Sequence, residues 1–277
     1  MNIDLMAEKI IGGSNFNANI AIILGSGLSV ISDKITKSTT IPYSSIPNYP
    51  KTTIEGHAGE FIVGELNGAS VVVAKGRMHY YEGYSLDLVT TPIKLLSKLG
   101  VKYLIITNSA GSLHIDNPPG NFMIADAHMD FTFRNNSKDP LINYNSIFHN
   151  HELIRIAKSV SEDLDLNTCV GCYCWTLGPS YETPAEIQDM ARLGGGAVGM
   201  STVPEIIASA ELGIKTLTIS CLTNYAAGIS PVPLTHEEVV SNASKFDREF
   251  SVLLEQIILK ISELKGLADT KNFNSPP

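Results

Sequence analysis

YLIITNSAGS, residues 103–112, begins as an unbroken apolar run and turns in mid-stretch into small and polar residues. The apolar half does not alternate with polar residues, which predicts a strand covered on both faces rather than one exposed to water on one side. The same change recurs along the chain. IAIIL (Ile20 to Leu24) runs into GSGL, VVVA (Val71 to Ala74) into KGRMHYYEGY, CYCWTL (Cys172 to Leu177) into GPSYETPAE, Ala197-Val198 into GMSTVPE, and TLTISCL (Thr216 to Leu222) into TNYAAG. Helices are expected between some of these strands. One opens at Thr91-Pro92 and stops at Gly100, with proline in its first turn and glycine just past its end. Another covers Glu186 to Leu193. The last has Thr235 as cap, with Glu238 three residues on to complete a capping box. Val239, Ala243, Phe246, Phe250, Leu253, Ile257 and Ile261 then recur at helical spacing up to Gly266. The expected architecture is a single α/β domain with a central, mostly parallel, twisted mixed sheet surrounded by helices. It takes in the whole chain, 1–277, with a core over about 20–266 and a frayed tail from 267 to 277.

Composition narrows the function. The 277 residues are 44% hydrophobic and 17% charged, enough apolar material for a large core. The formal net charge is −8 with no basic block, which argues against nucleic acid as a partner. No apolar stretch approaches the ~20 residues of a membrane span. The start, MNIDLMAEKI, lacks the long apolar segment of a signal peptide, and a cytoplasmic protein is expected. Three of the four cysteines, Cys169, Cys172 and Cys174, lie close together, but no second ligand pair stands at zinc spacing. They read, with Cys221, as reduced thiols of the core.

In parallel sheets, ligands bind outside the carboxyl ends of the strands. Several polar strand-end loops meeting there would build one pocket. In GSGL the glycines admit an anion close to the backbone and Ser26 offers a hydroxyl. Val30 stands where a dinucleotide fingerprint needs its third glycine, so a nicotinamide cofactor is disfavoured. By itself GSGL also reads as a plain tight turn. Arg77, His79 and Tyr81 alternate, so an extended chain places them on one face. Arg77 has the planar, permanent charge that grips phosphate, and His79 can add a hydrogen bond. Tyr181 and Glu182 pair an aromatic ring with a carboxylate that accepts N–H donors, a combination suited to a heterocycle. Asn224 carries an amide that donates to one ring atom and accepts from another. His236 follows the cap Thr235 at the positive end of a helix, which disfavours the imidazolium and suits a sugar hydroxyl. A competing cluster exists. Asp126, His128 and Asp130 alternate in ADAHMDF, with His149 and His151 downstream, and this pattern reads either as a metal site or as a polar strand edge.

Together GSGL, EGHAGEF, KGRMHYYEGY, TNSAGSL, GPSYETPAE, GMSTVPE and TNYAAGIS resemble, in that order, the trimeric 6-oxopurine-preferring purine nucleoside phosphorylases. GPSYET and TNYAAG look more like bacterial than animal members. The resemblance implies that Ser26, His57, Arg77, His79, the Ser109 backbone N–H and Ser201 hold phosphate. Tyr81, Met200 and His236 would hold the pentose. Ala110, Gly111, Tyr181, Glu182 and Asn224 would hold the base, Glu82 would steady the Arg77–Tyr81 segment, and Asn224, Glu182 and His79 would carry the catalysis. It implies a homotrimer, no metal and no cofactor, with inorganic phosphate as co-substrate and a purine nucleoside as partner. The related 5′-methylthioadenosine phosphorylases usually carry Asp in place of Asn224; the amide favours 6-oxopurines. The chain departs from the family's pattern in two places. The segment NNSKDPLINYNSIFHNHE is short, leaving Phe148 as the candidate to cover a neighbour's sugar site. Gly195 and Gly196 replace a common alanine–aspartate pair, which is expected to loosen the approach to Met200.

Overall fold

The computed structural model describes residues 2–12, 18–52, 58–134, 140, 142–230 and 236–264, with side chains from Ser241 onward in the last stretch. His57, the Thr235 cap and the expected tail therefore lie outside the described residues, as do the side chains of His236 and Glu238.

The strands are β1 (Ile20–Leu24), β2 (Thr36–Pro42), β3 (Glu60–Leu66), β4 (Ala69–Lys75), β5 (Tyr103–Ser112), β6 (Phe122–Asp130), β7 (Ile142–Asn143), β8 (Thr168–Trp175), β9 (Gly195–Gly199) and β10 (Lys215–Tyr225). The helices are α1 (Ile3–Ile11), α2 (Leu86–Val89), α3 (Thr91–Lys98), α4 (His151–Asp163), α5 (Pro184–Arg192), α6 (Val203–Glu211) and α7 (His236–Ser262). All ten strands belong to one sheet. β4, β1, β5 and β10 lie side by side and parallel, and so do β6, β8 and β9. Antiparallel pairings join these two sets, through β10–β6 and β5–β9, and add β3, β2 and β7 at the margins. The sheet is thus mixed as expected, with two parallel blocks, and half of its pairings, including those that join the blocks, are antiparallel. β5, β10, β6, β8 and β9 close on one another as a ring.

Each apolar strand is unbroken because both of its faces are covered. Ile20, Ile22 and Leu24 of β1 pack with α4 and α7, through Leu153, Phe250, Leu253 and Ile257. Ala21 and Ile23 between them pack with α1, α3 and α6, through Met6, Ile10, Leu96 and Ile206. Burying a Leu or Ile side chain contributes about 1.5–3 kcal/mol, so strand and helix faces hold each other without polar help. A further buried cluster takes Ala110, Leu222, Ala125, Tyr173 and Ala197, one from each strand of the ring, together with Val203 of α6.

Several expected loops are strand. β5 continues through Asn108, Ser109, Ala110 and Gly111, and β10 through Thr223, Asn224 and Tyr225. The polar residues remain in the ladder because the two strands extend each other, Leu222 beside Ala110 and Asn224 beside Gly111. Gly195 and Gly196 are likewise part of β9, paired with β8. A Cβ on Gly195 would stand 2.5 Å from Cys174 Sγ, so this glycine marks tight packing rather than the expected loosening. Phe148, the candidate to cover a neighbour's sugar site, is half-buried, edge-on to His128 at 5.2 Å and against the chain's own core. The four cysteines are free thiols, three of them buried.

Candidate active site

The polar carboxyl ends of β1, β4, β5, β8, β9 and β10 open on one cleft. Its lining brings together Ser26, Arg77, His79, Tyr81, Ser109, Ala110, Gly111, Tyr181, Glu182, Met200, Ser201 and Asn224. Of the residues singled out from the sequence, His57 lies outside the described residues. His236 opens α7, but its side chain is not among those described.

At one end the loop after β1 is pinned to β5. Gly25 N–H donates to Thr107 Oγ1 at 3.0 Å, and Ser109 Oγ donates to the Ser26 carbonyl at 2.8 Å. A Cβ on Gly25 would lie 2.6 Å from Asn108 Cα, so only glycine lets the two segments approach this closely. Asp247 of α7 accepts the backbone N–H groups of Ser29 and Val30 at 2.8 and 2.9 Å and ties the far side of the loop to the last helix.

The segment after β4 supplies the charge. Arg77 and His79 are buried, at 2% and 7% exposure. Arg77 Nη1 donates to Ser201 Oγ at 3.1 Å, and its Nη2 pairs with Glu205 Oε2 at 3.2 Å. Glu82 Oε1 accepts the His79 backbone N–H at 2.6 Å and lies 3.2 Å from its Nδ1. Glu82 thus fixes the histidine as expected and turns the other ring nitrogen away from itself. Burial lowers the His79 pKa; the Glu82 hydrogen bond opposes this and the Arg77 charge adds to it. The ring stacks on Tyr81 at 4.8 Å, and burial raises the Tyr81 phenol to about 12.

Other groups of the lining are more open. Tyr181 is 41% exposed. Glu182 Oε1 accepts from Thr176 Oγ1 at 2.5 Å, while Thr176 N–H donates to the Gly199 carbonyl at 3.0 Å. The chain between them passes through a cis Gly178–Pro179 bond and enters α5 through a capping box of Thr183 and Glu186. The β10 ladder skips Thr223, and this bulge sets Asn224 beside Gly111. Asn224 Oδ1 accepts from Thr223 Oγ1 at 2.8 Å and Nδ2 donates to the Tyr225 carbonyl at 2.9 Å.

Three features escaped the sequence reading. Asn108, quoted only as part of a motif, lines the cleft and donates to Thr202 Oγ1 at 3.1 Å. Thr202 holds φ +78°, a strained value for a β-branched residue, between Met200-Ser201 and α6. Glu205 is a buried carboxylate in the first turn of α6, where VPE read as loop. Pro204 at the start of that helix was the available signal.

The competing cluster does not assemble a metal site. His128 Nδ1 and His149 Nε2 lie 2.9 Å apart, and Asp130 caps Thr132 instead. Among the described residues no three His, Cys, Asp or Glu side chains converge as metal ligands. The stretch with Asp126, His128 and Asp130 pairs with β8 along one side, and His128 and Met129 pair with β7 on the other, so it is not an open polar edge.

A cleft at the carboxyl ends of parallel strands, lined both by a buried arginine–histidine pair and by an amide and a carboxylate, is built to take an anion and a polar heterocycle together. The chain belongs to the phosphorylase superfamily, whose family model matches residues 19–259. It is 44% identical over 255 residues to purine nucleoside phosphorylase 1 of Geobacillus stearothermophilus, covering 88% of this chain and 92% of the relative. It is 34% identical to the purine nucleoside phosphorylase of Rattus norvegicus, covering 91% and 93%. A crystal structure of the Schistosoma mansoni purine nucleoside phosphorylase in complex with inosine superposes with a TM-score of 0.84 at 34% identity, over 93% of this chain and 95% of that one.

Proposed function

We propose that this chain is an enzyme of purine salvage that cleaves inosine and guanosine, and their 2′-deoxy forms, with inorganic phosphate, releasing the free base and (deoxy)ribose 1-phosphate. The observation that carries this reading is the single cleft shared by Arg77, Tyr181 and Asn224. Arg77, His79, Ser26, Ser201 and the Ser109 N–H hold the phosphate, and the resemblance gives His57 the same role. Tyr81, Met200 and His236 hold the sugar. Glu182 accepts the base N1–H, and Asn224 donates toward N7 and O6, while Tyr181, Ala110 and Gly111 shape the base pocket.

Breaking the glycosidic bond builds oxocarbenium character on the sugar, as in other glycosyl transfers. Phosphate beneath C1′ stabilises that charge and then captures the carbon with inversion. The departing purine gains negative charge, which the Asn224 amide offsets. These effects are positional and electrostatic and require no covalent enzyme intermediate. The amide of Asn224 already has its carbonyl oxygen and one N–H engaged by Thr223 and Tyr225. This leaves one N–H for the base, and a carboxylate there would have none to offer a 6-oxo group. Phosphate is a co-substrate, and the chemistry calls for no metal or cofactor.

The reading takes residues from about 20 to 266 as one catalytic domain, supported by the single sheet and the family match to 19–259. No described helix is long and apolar enough to cross a membrane. A cytoplasmic homotrimer is the proposed form, drawn from the resemblance. Exposed Ile115, Phe133, Tyr144 and Ile147 offer apolar surface for subunit contact. The test is release of hypoxanthine from inosine with and without phosphate, beside adenosine and 5′-methylthioadenosine. Phosphate-dependent release, fastest with inosine, is the expected result. Preference for the 6-amino substrates would turn the assignment to a methylthioadenosine or broad-specificity phosphorylase. Sedimentation analysis giving a mass other than three chains would remove the trimer.

A further inference from the structure

The proposed reaction uses Arg77 but leaves the charge behind it without a task. Glu205 is 1% exposed, yet it is absent from the cleft lining. A glutamate in a helix's first turn gains from the helix dipole at the surface and has no need of burial for that purpose. Its Oε2 lies 3.2 Å from Arg77 Nη2, and both side chains are 2% exposed. Among the described residues neither carboxylate oxygen accepts a directed hydrogen bond, so the pairing is one of charge to charge. The other arm of the guanidinium, Nη1, donates to Ser201 Oγ at 3.1 Å. Arg77 is thus spanned between the cleft wall and a buried anion. One residue earlier, Tyr43 Oη donates to the Gly76 carbonyl at 2.8 Å and anchors the backbone as well.

We infer that Glu205 is a positioning residue for the phosphate co-substrate: it clamps Arg77 from behind, so that the guanidinium meets the anion already aimed. This rests on the reading of Arg77 as the phosphate clamp. Two effects of the carboxylate oppose each other. Its charge repels an incoming phosphate, whereas its grip removes the rotamer freedom that a long arginine side chain would otherwise lose on binding. The grip is the larger effect here, because Nη1 and Nη2 are both engaged and a guanidinium released from one side can turn away from the cleft.

The test is steady-state kinetics with inosine on Glu205→Gln, Arg77→Lys and the double variant, each titrated with phosphate. Glu205→Gln should raise the phosphate KM about tenfold while leaving kcat at saturating phosphate within about twofold. Arg77→Lys should raise the phosphate KM at least as much. The double variant should be no worse than Arg77→Lys within about twofold, since residues acting through one another are not additive. Glu205→Asp, which keeps the charge but retracts it, should fall between wild type and the Gln variant, and it takes the Gln variant's place in the cycle if that protein does not fold. An unchanged or lowered phosphate KM without Glu205, or multiplied effects in the double variant, would overturn the inference while leaving Arg77 in its role. An unchanged phosphate KM in Arg77→Lys would instead remove the reading of Arg77, and the inference with it.

Discussion

The chain holds two clusters of histidine and carboxylate that look alike in sequence and behave differently in the fold. In the cleft, His79 is paired to Glu82, and Arg77 to Glu205. Beneath β6, His128 is bonded to His149, and both are buried at 4% and 2% exposure. The first cluster sets opposite charges against each other beside a cavity. The second joins two like groups, and burial drives both towards the neutral form, to about 4 for His128 and about 3 for His149. Buried ionisable groups that are to meet a charged ligand need counter-charges already in place. Groups that serve packing alone are more cheaply held neutral.

The contrast predicts that substitutions in the cleft change rates and that substitutions at the His128–His149 pair change stability. The largest expected effect is Asn224→Ala, which should lower inosine turnover by about 100-fold or more, the scale of one lost transition-state donor. Near-normal turnover, with the melting temperature unchanged, would break the assignment of the base end. Arg77→Ala should act mainly on phosphate, raising its KM by roughly 30-fold or more as a charge-assisted contact is lost. Saturation by phosphate at wild-type concentrations would contradict its role. Gly111→Ala gives a finer test, because the new Cβ would stand 3.1 Å from Asn224 Nδ2. A displacement of a few tenths of an ångström should cost about five- to tenfold in kcat/KM for inosine.

The smallest effect on rate, and the clearest on stability, belongs to the histidine pair. Both folded pKa values lie below that of an unfolded histidine, ~6.5, so the unfolded chain binds more protons in acid. The stability tied to their neutral forms is complete above pH ~6.5 and is lost as pH falls through about 4. His149→Gln should make the thermal midpoint fall less steeply between pH 6.5 and 4 than wild type, with inosine turnover at neutral pH within about twofold. An equal slope in the two proteins, or a large loss of turnover, would merge the two clusters into one.

The apolar strand cores were legible because burial on both faces leaves a local mark, although β4, β8, β9 and β10 start one to four residues before the apolar runs. β1 runs over Ile20–Leu24 and β5 starts at Tyr103, where the apolar runs begin. The helix read from Thr91-Pro92 forms as α3, and the one read from Glu186 begins two residues earlier, at Pro184. The ends of β5 and β10 were not legible. Asn, Ser, Gly and Thr suggest a loop, and it was pairing with each other that kept them in the sheet. β2 and β3 were missed for a related reason. TKSTTIP is almost wholly exposed along its length, and Gly64 interrupts EFIVGEL, so neither shows the continuous apolar mark.

The sequence by itself determined that apolar strands end in polar segments rich in anion- and base-binding side chains, because both properties are written in neighbouring residues. Only the tertiary structure decided which of those segments meet. Arg77 reaches Ser201 across 124 positions, a skipped residue in β10 turns Asn224 toward Gly111, and Glu205 acquires a buried partner only once α6 packs behind the segment that follows β4. Charge pairing and close approach depend on distance through space, and distance along the chain does not encode it.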